Sequence, residues 1–262
     1  MVNVLNTRMS TVVFTVTSNG YKFMTWNLWL HCQRIAVPWK LFIVCLDKES
    51  HRFFQTIANI PSVLLPSVDL HLQGDTTKVS SYGSGDFNRI TREKLSVYTW
   101  MLEKDYTRYL YLDSDIVLFR DPVPYLQQIL SPENYLWFQC DEHGGDYVCT
   151  GVNGTCTNIC TGVIAFYKDE STKSKLLSMV KHDSDLWKSC KDNNDQEYIQ
   201  KTIARESIPY KTLSRDLYPN GLFLGKDYWK ILAAPHLLHF NFIVGQNKQR
   251  VIKSKGFWLV PY

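Results

Sequence analysis

Asp113 and Asp115 stand two apart in Tyr109-Leu110-Tyr111-Leu112-Asp113-Ser114-Asp115-Ile116-Val117-Leu118-Phe119, with apolar residues on both sides. Such a run reads as a buried strand that ends by lifting two carboxylates out of the core. Side chains alternate along a strand, so the two should face the same way. No lysine or arginine lies among them. Two like charges in so apolar a stretch are costly unless something positive sits between them, and a divalent cation is the simplest solution. Oxygen ligands favour Mg²⁺ or Mn²⁺, which keep open positions for phosphate oxygens. The plainer alternative is a solvated turn behind a core strand. Against it, apolar residues resume at once after Asp115, and Arg120-Asp121-Pro122 closes the unit with a turn signal.

The elements that must position this triplet are legible on either side of it. Thr11 to Thr17 is β-branched and apolar, which predicts a first buried strand. The turn Ser18-Asn19-Gly20-Tyr21 then leads into a helix from Tyr21 to Ile35, with Phe23, Trp26, Leu30 and Ile35 inward. Ligands of open α/β sheets bind beyond the carboxyl ends of strands, so this turn is either a nucleotide contact or a plain connection. Lys40 to Leu46 predicts a second strand; Asp47 at its exit either touches a base or ribose or is simply exposed. A helix from Ser50 to Asn59 and a short strand from Ser62 to Leu65 follow. Between Pro66 and Phe87 the composition turns to Ser, Gly, Asp and Thr, the mark of a long functional loop, here a flexible lid or acceptor loop.

Arg89 to Lys104 reads as a helix with Ile90, Leu95, Tyr98, Met101 and Leu102 inward. Arg89, Arg92 and Lys94 crowd its start, where the helix dipole disfavours cations and an anionic partner would be welcome. After the triplet come a short helix (Tyr125 to Leu130), strands at Tyr135 to Gln139 and Thr161 to Tyr167, and an amphipathic helix from Ser171 to Val180. Asn194 or Asp195 could cap a further helix.

Composition bounds the function. The 262 residues suit one α/β domain with a sizeable core. Net charge is +4, without a Lys/Arg block, which excludes a nucleic-acid binder and is compatible with an anionic nucleotide ligand. Aromatics at 14% suit a core plus a carbohydrate-facing surface, or packing alone. No segment is long enough to span a bilayer, and no basic-then-apolar leader opens the chain. Of seven cysteines, Cys32 and Cys45 lie in apolar segments and read as reduced and buried. Cys140, Cys149, Cys156 and Cys160 have spacings that do not match a paired zinc site, and no nucleophile-base pattern gives them chemistry, although His143 lies in their loop. The sequon Asn153-Gly154-Thr155 in the same loop matters only in a secretory compartment.

The triplet with Arg120-Asp121-Pro122 resembles the Asp-x-Asp motif of GT-A-fold, nucleotide-sugar-dependent glycosyltransferases, most of all glycosyltransferase family 77. Haloacid dehalogenase phosphatases also carry Asp-x-Asp after an apolar strand, but on the first strand, whereas more than a hundred residues precede this one. The resemblance spans nearly the whole chain. It implies a twisted, mostly parallel sheet with helices on both faces in a single domain, residues 1–120 binding the nucleotide sugar and 121–262 facing the acceptor. It implies metal ligation by Asp113 and Asp115, with Ser114 at the donor. Thr17, Asn19 and Tyr21 match the place of base and ribose, and Arg92 or Lys94 the basic donor contact. Thr161-Gly162 resembles the strand whose glycine admits the sugar, with Thr161 a departure from Asn or Ser. Asp195-Gln196 matches an Asp-Gln pair beside the transferred sugar. The segment from Leu237 to Lys248 resembles a late His-x-Asn, Gly, Lys run, followed by Gly256-Phe257-Trp258. There His239 would complete the metal site, Gly245 would close over the diphosphate and Lys248 would neutralise it.

The implied reaction is transfer of a sugar from a nucleoside diphosphate donor, UDP-linked, to a hydroxyl of a glycan or glycoprotein acceptor, with Mn²⁺ (or Mg²⁺) and with retention. The alternatives are a metal-dependent phosphoryl or nucleotidyl transferase and an inactive sugar-nucleotide-binding module. Eukaryotic relatives are usually lumenal Golgi proteins, so the expected place is the Golgi lumen for a trimmed catalytic domain, or the cytoplasm if Met1 is the native start.

Overall fold

The computed structural model describes residues 10–65, 76–141, 156–224 and 234–261. Met1, His143, Cys149, the sequon at Asn153 and the first part of the long loop lie outside the described residues. In chain order the strands are β1 (Thr11–Thr17), β2 (Leu41–Cys45), β3 (Ser62–Leu64), β4 (Arg108–Leu112), β5 (Ile116–Leu118), β6 (Leu136–Cys140), β7 (Ile159–Tyr167), β8 (Lys211–Thr212) and β9 (Leu237–His239). The helices are α1 (Lys22–Arg34), α2 (Lys48–Thr56), α3 (Gly85–Leu102), α4 (Val123–Ile129), α5 (Lys173–Val180), α6 (Ser184–Ser189), α7 (Asp195–Glu206) and α8 (Asn247–Ser254).

Seven strands form one sheet in the order β3-β2-β1-β4-β7-β6-β8, and β5 pairs with β9 in a separate ribbon. The pairs β2/β3, β1/β2, β1/β4 and β6/β8 are parallel, and β7 runs antiparallel to both of its neighbours. Alternation along β1 builds two core layers. Val12, Phe14 and Val16 join the cluster of α3, α5 and α7, while Val13 joins that of α1, α2 and α4. Helices therefore cover both faces, as sequence pattern and resemblance predict.

Order in the sheet also creates the site. The chain leaves β1 for β2 and β3 on one side, then returns through α3 to β4 on the other. Carboxyl ends of parallel strands diverge at such a reversal and leave a crevice. Thr17 and Asp113 flank it.

Two expectations about elements need correction. Phe23 does not face inward; it is 38% exposed, and α1 instead buries Met24, Thr25, Asn27, Leu28, His31 and Cys32. The reason is polar. The segment after α8 lies along α1, where the Phe257 carbonyl accepts from Asn27 Nδ2 (3.1 Å) and from His31 Nε2 (2.8 Å), and Asn27 Oδ1 accepts from Leu259 N–H (2.6 Å). Asp47 is neither exposed nor free for a ribose. It is buried and caps α2, accepting from Ser50 N–H (2.7 Å), while its other oxygen accepts from Asn19 N–H (2.8 Å).

Candidate active site

The apolar run around the triplet is split between two sheets, and this is what aims the carboxylates. Strand β4 ends at Leu112, Asp113 N–H donates to the Gly162 carbonyl (2.7 Å), and the chain turns into β5, which pairs with β9 so that Ile116 lies opposite His239. The convergence of Asp113 and Asp115 is the work of this turn, not of alternation along one strand. His239 Nε2 lies 3.2 Å from Asp115 Oδ1 and 3.7 Å from Asp113 Oδ2. One ligand atom from each residue falls within 4.8 Å of the others. Two carboxylates and an imidazole make a donor set that fits Mn²⁺, which tolerates nitrogen better than Mg²⁺ does.

The crowding is tight enough to dictate Gly162. A Cβ there would overlap His239 Cε1 and stand 2.8 Å from Asp113 Oδ2, so the missing side chain makes room for the chain's own ligands, whereas the resemblance gave that room to a sugar. Gly245 has φ +59°, the left-handed region that favours glycine. It delivers the chain into α8, where Lys248 Nζ reaches Asp115 Oδ2 at 2.5 Å.

Cations therefore do meet the carboxylates, but from far along the chain. Lys94 Nζ contacts Asp113 Oδ1 at 3.1 Å and Asp195 Oδ2 at 2.8 Å, so one ammonium joins the triplet to the start of α7. Tyr111 hydroxyl donates to the same Asp113 oxygen and fixes it from below. Burial pushes the Lys94 ammonium to shed its proton, but the charges of Asp113 and Asp195 outweigh it and hold the pKa well above the usual value. Burial likewise works to raise the Asp115 carboxyl, and Lys248 and His239 override it, holding the group far below the usual carboxylate range. Removing one partner from buried pairs of this kind costs about 3–5 kcal/mol. Lys94 does not sit at a helix start: Ser84 caps α3 at Phe87 N–H (3.2 Å), nearly three turns earlier.

These groups line a cavity of about 670 Å³. Of the sequence candidates, Thr17, Tyr21, Lys94, Asp113, Ser114, Asp115, Gly162, Asp195, Gln196, His239, Gly245 and Lys248 face it. Asn19 and Arg92 do not line it. Asn19 donates to Thr76 Oγ1 (3.1 Å) and accepts from Lys22 Nζ (2.6 Å), pinning the segment after the first strand to the long loop. Arg92 is exposed, bonded to Asn193 and lying 5.0 Å over the Trp187 ring. Of the two basic candidates in α3, the structure brings only Lys94 to the cavity.

Beside the charged groups lies a wall of amides in which sequence reading pointed to Gln196, Asn194 and Asn241 but missed Asp141, Asn158 and Gln200. Asp141 accepts from Asn241 Nδ2 (2.7 Å) and Gln196 Nε2 (3.2 Å), and Gln200 donates to Asn158 Oδ1 (2.8 Å). Asn194 caps α7 at Glu197 N–H (2.9 Å) and donates to the Tyr82 hydroxyl of the long loop (2.9 Å). A Cys140–Cys156 disulfide flanks Asp141. Cys160 also faces the cavity, and burial raises its thiol well above the usual value. The buried Gln139 in an otherwise apolar strand was the available clue to polar structure here.

The profile of the nucleotide-diphospho-sugar transferase family matches residues 39–251. The chain belongs to this family. The match takes in the triplet, Asp195-Gln196, His239 and Lys248. A relative from Dictyostelium discoideum, a UDP-galactose:fucoside alpha-3-galactosyltransferase, is 25% identical over 277 residues, covering 92% of this chain. The chain spans 42% of that relative's length. Among solved structures, the glycosyltransferase GlyE of Streptococcus pneumoniae TIGR4 in its apo form superposes with a TM-score of 0.55 at 16% identity, over 95% of this chain and 60% of that one. The galactosyltransferase LgtC in complex with donor and acceptor sugar analogs gives 0.52 at 14% identity, over 96% and 98%. Mouse xyloside xylosyltransferase 1 gives 0.52 at 10% identity, over 88% and 97%. At these identities the likeness is one of fold, and the fold is that of GT-A glycosyltransferases. Among the described residues no helix is long and apolar enough to cross a membrane.

Proposed function

We propose that the protein is a metal-dependent glycosyltransferase that moves a sugar from a UDP-linked donor to a hydroxyl of a glycan or glycoprotein acceptor, with retention. One observation carries the reading: Asp113, Asp115 and His239 converge at the crevice of the sheet, with Lys94 and Lys248 beside them. A divalent ion held by those three residues would neutralise the charge growing on a departing diphosphate, the effect expected to dominate such chemistry. Lys248, on a short helix at the cavity mouth, adds a second positive charge to the same leaving group. Thr17 and Tyr21, at the end of the first strand, would border the nucleoside. In the same reading residues 1–120 supply most of the donor side and 121–262 the acceptor side, with His239 and Lys248 reaching back to the donor.

Retention is supported by the state of Asp195. An inverting enzyme needs a carboxylate free to take the acceptor's proton. Asp195 is instead buried and paired with Lys94 at 2.8 Å, so it suits steadying a cationic sugar, while a diphosphate oxygen takes the proton. The UDP donor is supported by the name of the 25% identical relative, and an alpha product from UDP-galactose, whose sugar is alpha-linked, is retention.

A panel of nucleotide sugars with and without Mn²⁺ tests this. Mn²⁺-dependent release of UDP, with proton NMR of the fresh product showing the donor's anomeric coupling, is the expected result. Asp195→Asn should slow transfer on the order of a hundredfold without changing the anomer. Release of inorganic phosphate would make the protein a phosphatase instead, and an inverted anomer would recast Asp195 as a general base.

A further inference from the structure

His239 can ligate a cation through Nε2, the nitrogen beside Asp113 and Asp115, only if Nε2 gives up any proton it shares with Asp115 while the other nitrogen keeps its own, and something must hold that second proton. Gln139 does this by its position. Its Nε2 lies 3.0 Å from both the Tyr218 and the Pro219 carbonyl oxygens. Carbonyls only accept, so the NH₂ of the amide must point at them, and its Oε1 must point the other way. That oxygen lies 2.7 Å from His239 Nδ1. An amide oxygen only accepts, so Nδ1 is the donor. The remaining neighbour of Nδ1 is Cys160 Sγ at 3.6 Å, a weak donor whose sulfur already receives Gly162 N–H (3.4 Å) and Asn241 Nδ2 (3.7 Å). Both Gln139 and His239 are buried, so water does not offer an alternative partner.

We propose that Gln139 is the positioning residue of the cation site: by fixing the orientation of its own amide on two backbone carbonyls, it holds a proton on His239 Nδ1 and keeps Nε2 as the nitrogen available to a cation shared with the two carboxylates. Hydrogen bonding at the far nitrogen also raises the basicity of the ligating one, and losing such a partner typically weakens metal binding about 10- to 100-fold. The inference rests on the metal reading of Asp113, Asp115 and His239, and extends it to a residue on β6 that touches neither metal nor donor.

Two variants separate positioning from mere structure. Gln139→Glu loses the donation to the Tyr218 and Pro219 carbonyls but keeps an acceptor at Nδ1; Gln139→Leu loses both. Mn²⁺ binding to the full chain without nucleotide is measured by calorimetry, and the protonation of His239 Nδ1 in the metal-free protein by long-range ¹H–¹⁵N NMR. The expected result is a protonated Nδ1 in wild type and in Gln139→Glu, with Mn²⁺ affinity of the Glu variant within about threefold of wild type or tighter. Gln139→Leu should show mixed tautomers and bind about 10- to 100-fold more weakly. Equal weakening in both variants, unchanged affinity in both, or an Nδ1 without a proton in wild type overturns the proposal. If Gln139→Leu fails to fold, the Glu variant decides alone, since a loss beyond tenfold there contradicts the role. A wild-type chain that binds no Mn²⁺ overturns the metal reading itself, and that failure is seen in the wild-type titration before any variant is made.

Discussion

The two walls of the cavity are built from opposite chemistry. On one side Asp113, Asp115, His239, Lys94 and Lys248 pack titratable groups at ion-pair distance. On the other, neutral amides gather around Asp141: Gln196 and Asn241 donate to its carboxylate, Asn158 donates to its backbone carbonyl, and Gln200 donates to Asn158. A charged wall exerts large, weakly directional forces and suits a diphosphate. Amides exert small forces with strict geometry and suit the hydroxyls of a sugar. Lys94 joins the two regions, because the ammonium that steadies Asp113 also holds Asp195 at the border of the amide wall.

The sharpest way to break this comparison is to remove a charge whose partners stay. Asp115→Asn keeps the volume but leaves Lys248 and His239 facing a neutral group. Metal-stimulated UDP binding should fall at least on the order of a hundredfold, with far-ultraviolet circular dichroism unchanged. Full retention of Mn²⁺-stimulated binding would show that the carboxylates are only a structural ion-pair cluster.

A smaller effect is expected from Lys248→Ala, and it has two signs. Without nucleotide the variant should bind Mn²⁺ several-fold more tightly, because the ammonium on Asp115 competes with a cation for the same oxygen. With donor present, turnover should fall on the order of tenfold and donor affinity less, since the charge meets the leaving group as it forms. Equal losses in both terms would assign Lys248 to ground-state binding, and an unchanged rate would remove it from the site.

The amide wall should respond least. Gln200→Ala removes one neutral hydrogen bond, worth about 1 kcal/mol, so the acceptor KM should rise about fivefold with kcat nearly constant. A larger change in kcat than in KM would mean that this wall acts on the reacting centre, and the contrast between the two sides would fail.

What was legible in the sequence is what short-range pattern encodes. Thr11–Thr17 is a strand because β-branched residues fit a pleated, buried surface, and its bounds match the pattern. The inward face of α3 is read from a 3.6-residue period, and Asn194 caps α7 as its side chain and place predict. The face of α1 was misread because its burial is governed by Asn27 and His31 bonding a carbonyl more than two hundred residues away, which no periodicity carries. Arg92 and Lys94 looked interchangeable for a similar reason. Only the packing of α3 against the sheet buries one and leaves the other beside Trp187.

By itself, then, the sequence determined that this chain forms an α/β sheet with two carboxylates at a strand exit, because alternation, helical period and the cost of like charges in an apolar run are local facts. Tertiary structure alone decided who meets those carboxylates. Lys248 reaches Asp115 across 133 positions, and Gln139 reaches His239 and Asn241 reaches Asp141 across 100 each. Charges and amides carry no label of their partners along the chain. They acquire partners only when strand order and the reversal between β1 and β4 bring distant ends together, and burial then makes each pairing obligatory.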